Sequence, residues 1–216
     1  MHLARGMAFR IKKSMLKTVL NTHNPKRKRK LLRHNMNSNA RKDTRITLLI
    51  EGYPRTGYQT YARLVGGSSG GLSIGRLHPD YVAQKYGLER SKRYWLSSQK
   101  GAGTISPKAL GALVKTLHSE LRGRAGGTVL LDGLEYLLLF HDIGKMMGIL
   151  QEIDGLLKQA DVTMLVLLDS HTFEPRDLER LWEAYPKLTS EELLGDARAE
   201  QSIDINAIAG KECADL

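Results

Sequence analysis

The chain has 216 residues, 41% of them hydrophobic, which is enough for one sizeable core and a single domain. Its formal charge of +10 is concentrated: residues 1–45 carry fourteen Lys or Arg against one acid, Asp43, whereas the remainder carries nineteen basic and twenty-two acidic residues. A lone cysteine, Cys213, excludes a disulfide framework and predicts a reducing, cytoplasmic setting. No apolar run nears the roughly 18 residues of a membrane span, and no cleavable apolar segment follows the basic start, which argues against secretion.

Residues 1–44 read as a basic arm. Apart from a short helical pattern at Ile11–Leu20 they lack apolar periodicity, and Lys26–Lys30 and Asn35–Asn39 should repel and solvate. The folded domain is expected over 45–186. Ile46–Ile50 reads as a first strand, followed by a glycine-bounded loop, Gly52–Gly57, and a helix to Val65. A second strand at Leu72–Arg76 leads to a helix at Pro79–Tyr86 closed by Gly87, and Arg93–Leu96 is a third strand. Ser106-Pro107 predicts a helix start, with a hydroxyl cap and proline at the first position. Leu110, Leu113, Val114, Leu117 and Leu121 give that helix its apolar stripe, and His118 falls off it.

The run Thr128–Leu139 is the most telling. A continuous apolar strand suits a parallel sheet covered on both faces, and this one ends on a carboxylate, Asp132. Glu135 follows as a helix begins. A longer helix is expected over Ile143–Lys158, a second apolar strand at Val162–Leu168 ending on Asp169, and a last helix at Pro175–Tyr185 with Leu178, Leu181, Trp182 and Tyr185 on one side. Residues 187–216 read as a short helix and a loose polar tail. Strands alternating with helices predict an α/β three-layer sandwich on a mainly parallel sheet.

The first loop carries chemistry. Gly52 and Gly57 match the glycines of the phosphate loop G-x-x-x-x-G-K-[ST] in a strand–loop–helix setting. Tyr58, however, stands where the lysine would reach phosphates, and Gln59 where a hydroxyl would hold magnesium. What remains is amide donors at a helix start, with Arg55 as a cation if the loop turns it inward. A structural relic, a noncanonical nucleotide or anion site, and a hydrolase all stay open. Asp132 would position a metal and Glu135 would act as a general base in the hydrolase reading. Asp169 is placed at the same sheet edge, and Arg76 is the natural counter-ion. No metal site or cofactor follows from these residues.

Ser73–Pro79, Tyr86-Gly87-Leu88, Trp95-Leu96-Ser97 and Leu130–Leu137 together resemble an uncharacterised, mainly archaeal family, domain of unknown function 835. The similarity covers about residues 46–185. It implies a RecA-like α/β domain with a degenerate phosphate loop, often attached to sensory or histidine-kinase modules. It implies no known activity. By resemblance Arg76, His78, Trp95, Ser97, Asp132 and Glu135 become candidate functional positions, and a signalling protein or small ligand the expected partner.

Two further motifs invite other readings. His141-Asp-Ile-Gly-Lys145 looks like the His-Asp pair of HD phosphohydrolases, but only His118 and His171 flank it, too few for a metal shell. Residues 26–42 could neutralise nucleic-acid phosphates, though Phe9 alone offers stacking and binding would be nonspecific. A start at Met36 would remove most of that charge.

Overall fold

The computed structural model describes residues 43–51, 56–66 and 71–193. Strands β1 (Ile46–Glu51), β2 (Leu72–Gly75), β3 (Lys92–Leu96), β4 (Thr104–Ile105), β5 (Thr128–Asp132), β6 (Thr163–Asp169) and β7 (Lys187–Thr189) form, among these residues, one sheet. Every pairing is parallel, in the order β4-β3-β2-β5-β6-β1-β7. Helices α1 (Gly57–Val65), α2 (Pro79–Tyr86), α3 (Leu110–Leu121), α4 (Leu134–Leu138), α5 (Ile143–Ala160) and α6 (Pro175–Ala184) link the strands.

Successive side chains of a strand point to opposite faces, and the sequence uses this twice over. Ile46, Leu48, Leu72, Ile74, Val129, Leu131, Met164, Val166 and Leu168 form one core cluster with the apolar stripes of α3, α4, α5 and α6. The alternate residues, among them Leu49, Leu130, Leu165 and Leu167, are equally buried on the other face, where α1 lies. There Tyr61 is fully buried, and its hydroxyl donates to the carbonyls of Leu72 (3.0 Å) and Thr128 (3.2 Å), pinning α1 across β2 and β5. Each fully buried Leu on either face contributes about 1.5–3 kcal/mol, so the expected doubly covered parallel sheet is what the pattern of continuous apolar strands requires.

Connections leave the sheet on opposite sides. The crossovers after β1 and β2 run through α1 and α2 on one face, and those after β5 and β6 run through α4, α5 and α6 on the other. Because β5 and β6 lie between β2 and β1, the direction switches twice, between β2 and β5 and again between β6 and β1. Such switch points open crevices at the carboxyl ends of the strands.

Several boundaries differ from the sequence reading. Ser106 and Pro107 do not start α3: they form a turn, closed by the Ala109 amide on the Ser106 carbonyl at 3.0 Å, and the helix begins at Leu110 without a side-chain cap. The segment beyond Pro186 first adds β7 alongside β1, and the helical turn comes only at 190–193. Of the residues on the apolar side of α6, Leu178, Leu181 and Tyr185 are buried while Trp182 is 38% exposed, with the Lys187 ammonium 3.9 Å from its ring centre. The basic arm, the Met36 start and the tail beyond 193 lie outside the described residues.

Candidate functional site

Three candidates converge at the β2/β5 crevice. Arg76 directly follows β2, Asp132 ends β5 and Glu135 lies in the first turn of α4. The Arg76 Nη2 stands 3.4 Å from Asp132 Oδ1 and 2.8 Å from Glu135 Oε1, so one guanidinium nitrogen is shared by two carboxylates. Asp132 is only 3% exposed, and such a charge is tolerated in the interior because it is paired. Gly133 makes the approach possible. Its φ is +113°, and a Cβ there would stand 2.7 Å from Arg76 Cγ, so the aliphatic stem of Arg76 lies against bare backbone.

Tyr58 completes the cluster. As the second residue of α1, where a phosphate loop would carry its lysine, it donates its hydroxyl to Asp132 Oδ2 at 3.2 Å. It passes over Gly75, where even a methyl group would collide with the phenol oxygen. Burial first, then the adjoining Asp132 charge and its hydrogen bond, push the phenol far above the ordinary tyrosine range, with Arg76 offsetting part. Tyr58 is therefore a neutral donor at any physiological pH. Its ring stacks on Tyr86 with centroids 5.1 Å apart and planes 16° from parallel.

These groups wall a cleft of about 400 Å³, lined by Glu51, Tyr58, Arg76, Leu77, Tyr86, Asp132 and Leu167. Glu51 ends β1, is 5% exposed, and its Oε1 accepts the amide of Gly57 at the start of α1. Glu51 bears the same sequence signal as Asp132, a carboxylate ending an apolar parallel strand, yet is not among the candidates named from sequence. Tyr86, Leu77 and Leu167 carry no chemical signature in sequence and enter only through the fold.

The other candidates surround the cleft or lie apart. Trp95 Nε1 donates to the Arg76 carbonyl at 3.0 Å, holding the backbone of the guanidinium residue. His78 meets Trp95 edge-on at 4.9 Å, and its Nδ1 accepts the Asp80 amide as the cap of α2. Ser97 Oγ accepts the Gln99 amide at 3.1 Å in the loop after β3. Asp169 is the register partner of Glu51 at the same edge, but the β6 residue lining the cleft is Leu167, and Asp169 Oδ1 accepts the His171 amide instead. Gly57 opens α1, whereas Gly52 and Arg55 lie outside the described residues.

The His-Asp motif has another use. Asp142 caps α5 by accepting the Lys145 amide at 2.8 Å, and this amide holds its carboxyl below the usual range. The His141 Nε2 lies 2.9 Å from the Pro107 carbonyl. Among the described residues no group of three or more His, Cys, Asp or Glu is placed to hold a metal ion, and no helix of the described residues is long and apolar enough to cross a membrane.

The fold and site thus define a parallel α/β domain with a charged cleft at the carboxyl edge of its sheet. The chain belongs to the DUF835 family of proteins of unknown function, whose sequence profile matches residues 54–183. No curated protein matches the chain.

Proposed function

We propose that this is a RecA-like domain without catalytic competence, a module that holds a small ligand or a signalling partner at the cleft lined by Arg76 and Asp132, with Glu135 paired to Arg76 beside it. One observation carries the reading: the Tyr58 hydroxyl reaches Asp132 at 3.2 Å. In an NTPase of this shape, a lysine from the phosphate loop would neutralise phosphates and the strand-end acid would position magnesium. Here the first group is a neutral phenol and it is bonded to the second. The remaining machinery points the same way, because the Oε1 of Glu135, the residue that would activate water, faces Arg76 at 2.8 Å. The strand order, with β6 between β1 and β5, is compatible with the RecA-like reading. The lone cysteine supports a reducing, cytoplasmic setting.

Steady-state phosphate release with magnesium and ATP or GTP tests it. The expected rate equals that of buffer alone. Release that disappears in the Asp132→Asn variant would establish the rival reading, a noncanonical NTPase with Asp132 on the metal and Glu135 as base. Binding of nucleic acid by residues 26–42 is a separate reading, and loss of salt-dependent affinity on deleting residues 1–35 would identify it.

A further inference from the structure

We propose that the outer face of α3 and the adjoining start of β3 form a second binding surface, which takes the phosphate backbone of double-stranded nucleic acid. It lies at the amino end of the sheet, opposite the cleft, and does not depend on what the cleft holds. Residues 89–125 carry eight Lys or Arg against two acids, Glu89 and Glu120, whereas residues 126–193 carry five against thirteen. Glu120, near the end of α3, is fully used: its Oε1 accepts from Lys92 Nζ at 2.6 Å and from the Tyr94 hydroxyl at 2.8 Å. Arg124 Nε donates to the Glu120 carbonyl at 2.7 Å. Lys92 and Arg124 therefore serve the carboxyl end of the helix, where cations are favoured. Arg90, Lys115 and Arg122 do not. All three are exposed, and none makes an ion pair among the described residues. Lys115 and Arg122 are seven residues apart, so both project from the outer side of α3, with exposed His118 between them.

The chemistry of this face selects the partner. Protein interfaces centre on apolar and aromatic anchors, but the exposed large apolar side chains of the described residues, Leu77, Tyr81, Leu139, Phe140 and Trp182, all lie outside 89–125. A surface of unpaired cations without such an anchor suits a partner whose affinity is carried by charge, and the phosphate backbone is that partner. The aromatics of β3 are half-buried and engaged, Tyr94 with Glu120 and Trp95 with the Arg76 carbonyl, so little ring surface is offered to unstacked bases. That favours a duplex over a single strand. The loop after α3 adds little bulk: a Cβ on Gly123 would meet nothing within 4 Å, which leaves room for a backbone to approach. The acidic remainder of the domain would orient this face toward a polyanion.

The test follows binding of a short labelled DNA duplex of mixed sequence to the full chain by fluorescence anisotropy over a series of salt concentrations. The unaltered chain should bind with an affinity that falls linearly with salt on logarithmic axes. The triple variant Arg90→Gln, Lys115→Gln, Arg122→Gln should lower that slope by about three, close to one per cation removed. The double variant Arg90→Lys, Arg122→Lys keeps both charges and should retain the slope. Because all three side chains are exposed, both variants should melt with the unaltered chain. The proposal is overturned if the unaltered chain does not bind, which needs no variant to fold, or if the lysine variant loses as much as the glutamine one. Binding carried by the basic arm alone would leave the triple variant's slope unchanged and would also overturn it. Poly-glutamate that binds as tightly as the duplex would point to an acidic protein instead and would overturn the assignment to nucleic acid.

Discussion

At the scale of single residues, Tyr58 and Gly75 form the pair that most sharply expresses the site's design. The phenol reaches Asp132 only because Gly75 has no side chain; a Cβ there would collide with the hydroxyl and lie 3.3 Å from Asp132 Cβ. Gly75→Ala should therefore cost about 1–3 kcal/mol in urea denaturation, the range for overpacking a tight interior. Tyr58→Phe removes the hydroxyl and with it the principal collision, at a cost of about 0.5–1.5 kcal/mol for the lost hydrogen bond. The double variant should then be less unstable than the two single costs imply, with a coupling of about 1 kcal/mol. Strict additivity would mean that the phenol does not lie over Gly75.

At the scale of elements, α3, α4, α5 and α6 meet the sheet through apolar stripes, and the end of α6 adds a buried phenol with a pH signature. Tyr185, at its end, is 5% exposed, and its hydroxyl has no hydrogen-bond partner among the described residues. Burial, with the Asp154 carboxylate second, pushes it up to about 12 from an ordinary 10.0. The folded protein therefore keeps this proton after the unfolded chain has lost it. The unfolded state binds fewer protons above its own value, so stability is complete below about pH 10 and falls as pH rises toward 12. Tyr58 and Tyr61, also raised by burial, act in the same direction. Tyr185→Phe removes an unsatisfied buried hydroxyl, so it should be within about 1 kcal/mol of the unaltered chain at neutral pH. It should also lose less stability between about pH 9 and 11 in guanidinium melts. An unchanged alkaline slope would place the Tyr185 phenol in water.

At the scale of the whole molecule, the doubly covered parallel sheet was legible because β1, β5 and β6 are continuous apolar runs, a pattern that only two-sided burial sustains. The Arg76–Asp132 pair was legible for a related reason: charged residues ending such strands must meet at one edge. What sequence could not supply was strand order. The placement of β5 and β6 between β2 and β1 creates the two switch points, brings Glu51 and Leu167 to the cleft, and sets the Asp169 carboxylate to accept the His171 amide. The short edge strands β4 and β7, of two and three residues, are too brief to show a period. Helical spacing groups Trp182 with Leu178 and Leu181 but cannot tell a buried aromatic from one covered by the Lys187 ammonium.

Calorimetric titration of the full chain with ATP and magnesium at millimolar concentrations tests most directly whether a phenol bonded to the strand-end acid has closed this cleft to nucleotides. No heat of binding is the expected result. A saturable isotherm that is lost in Asp132→Asn would contradict it.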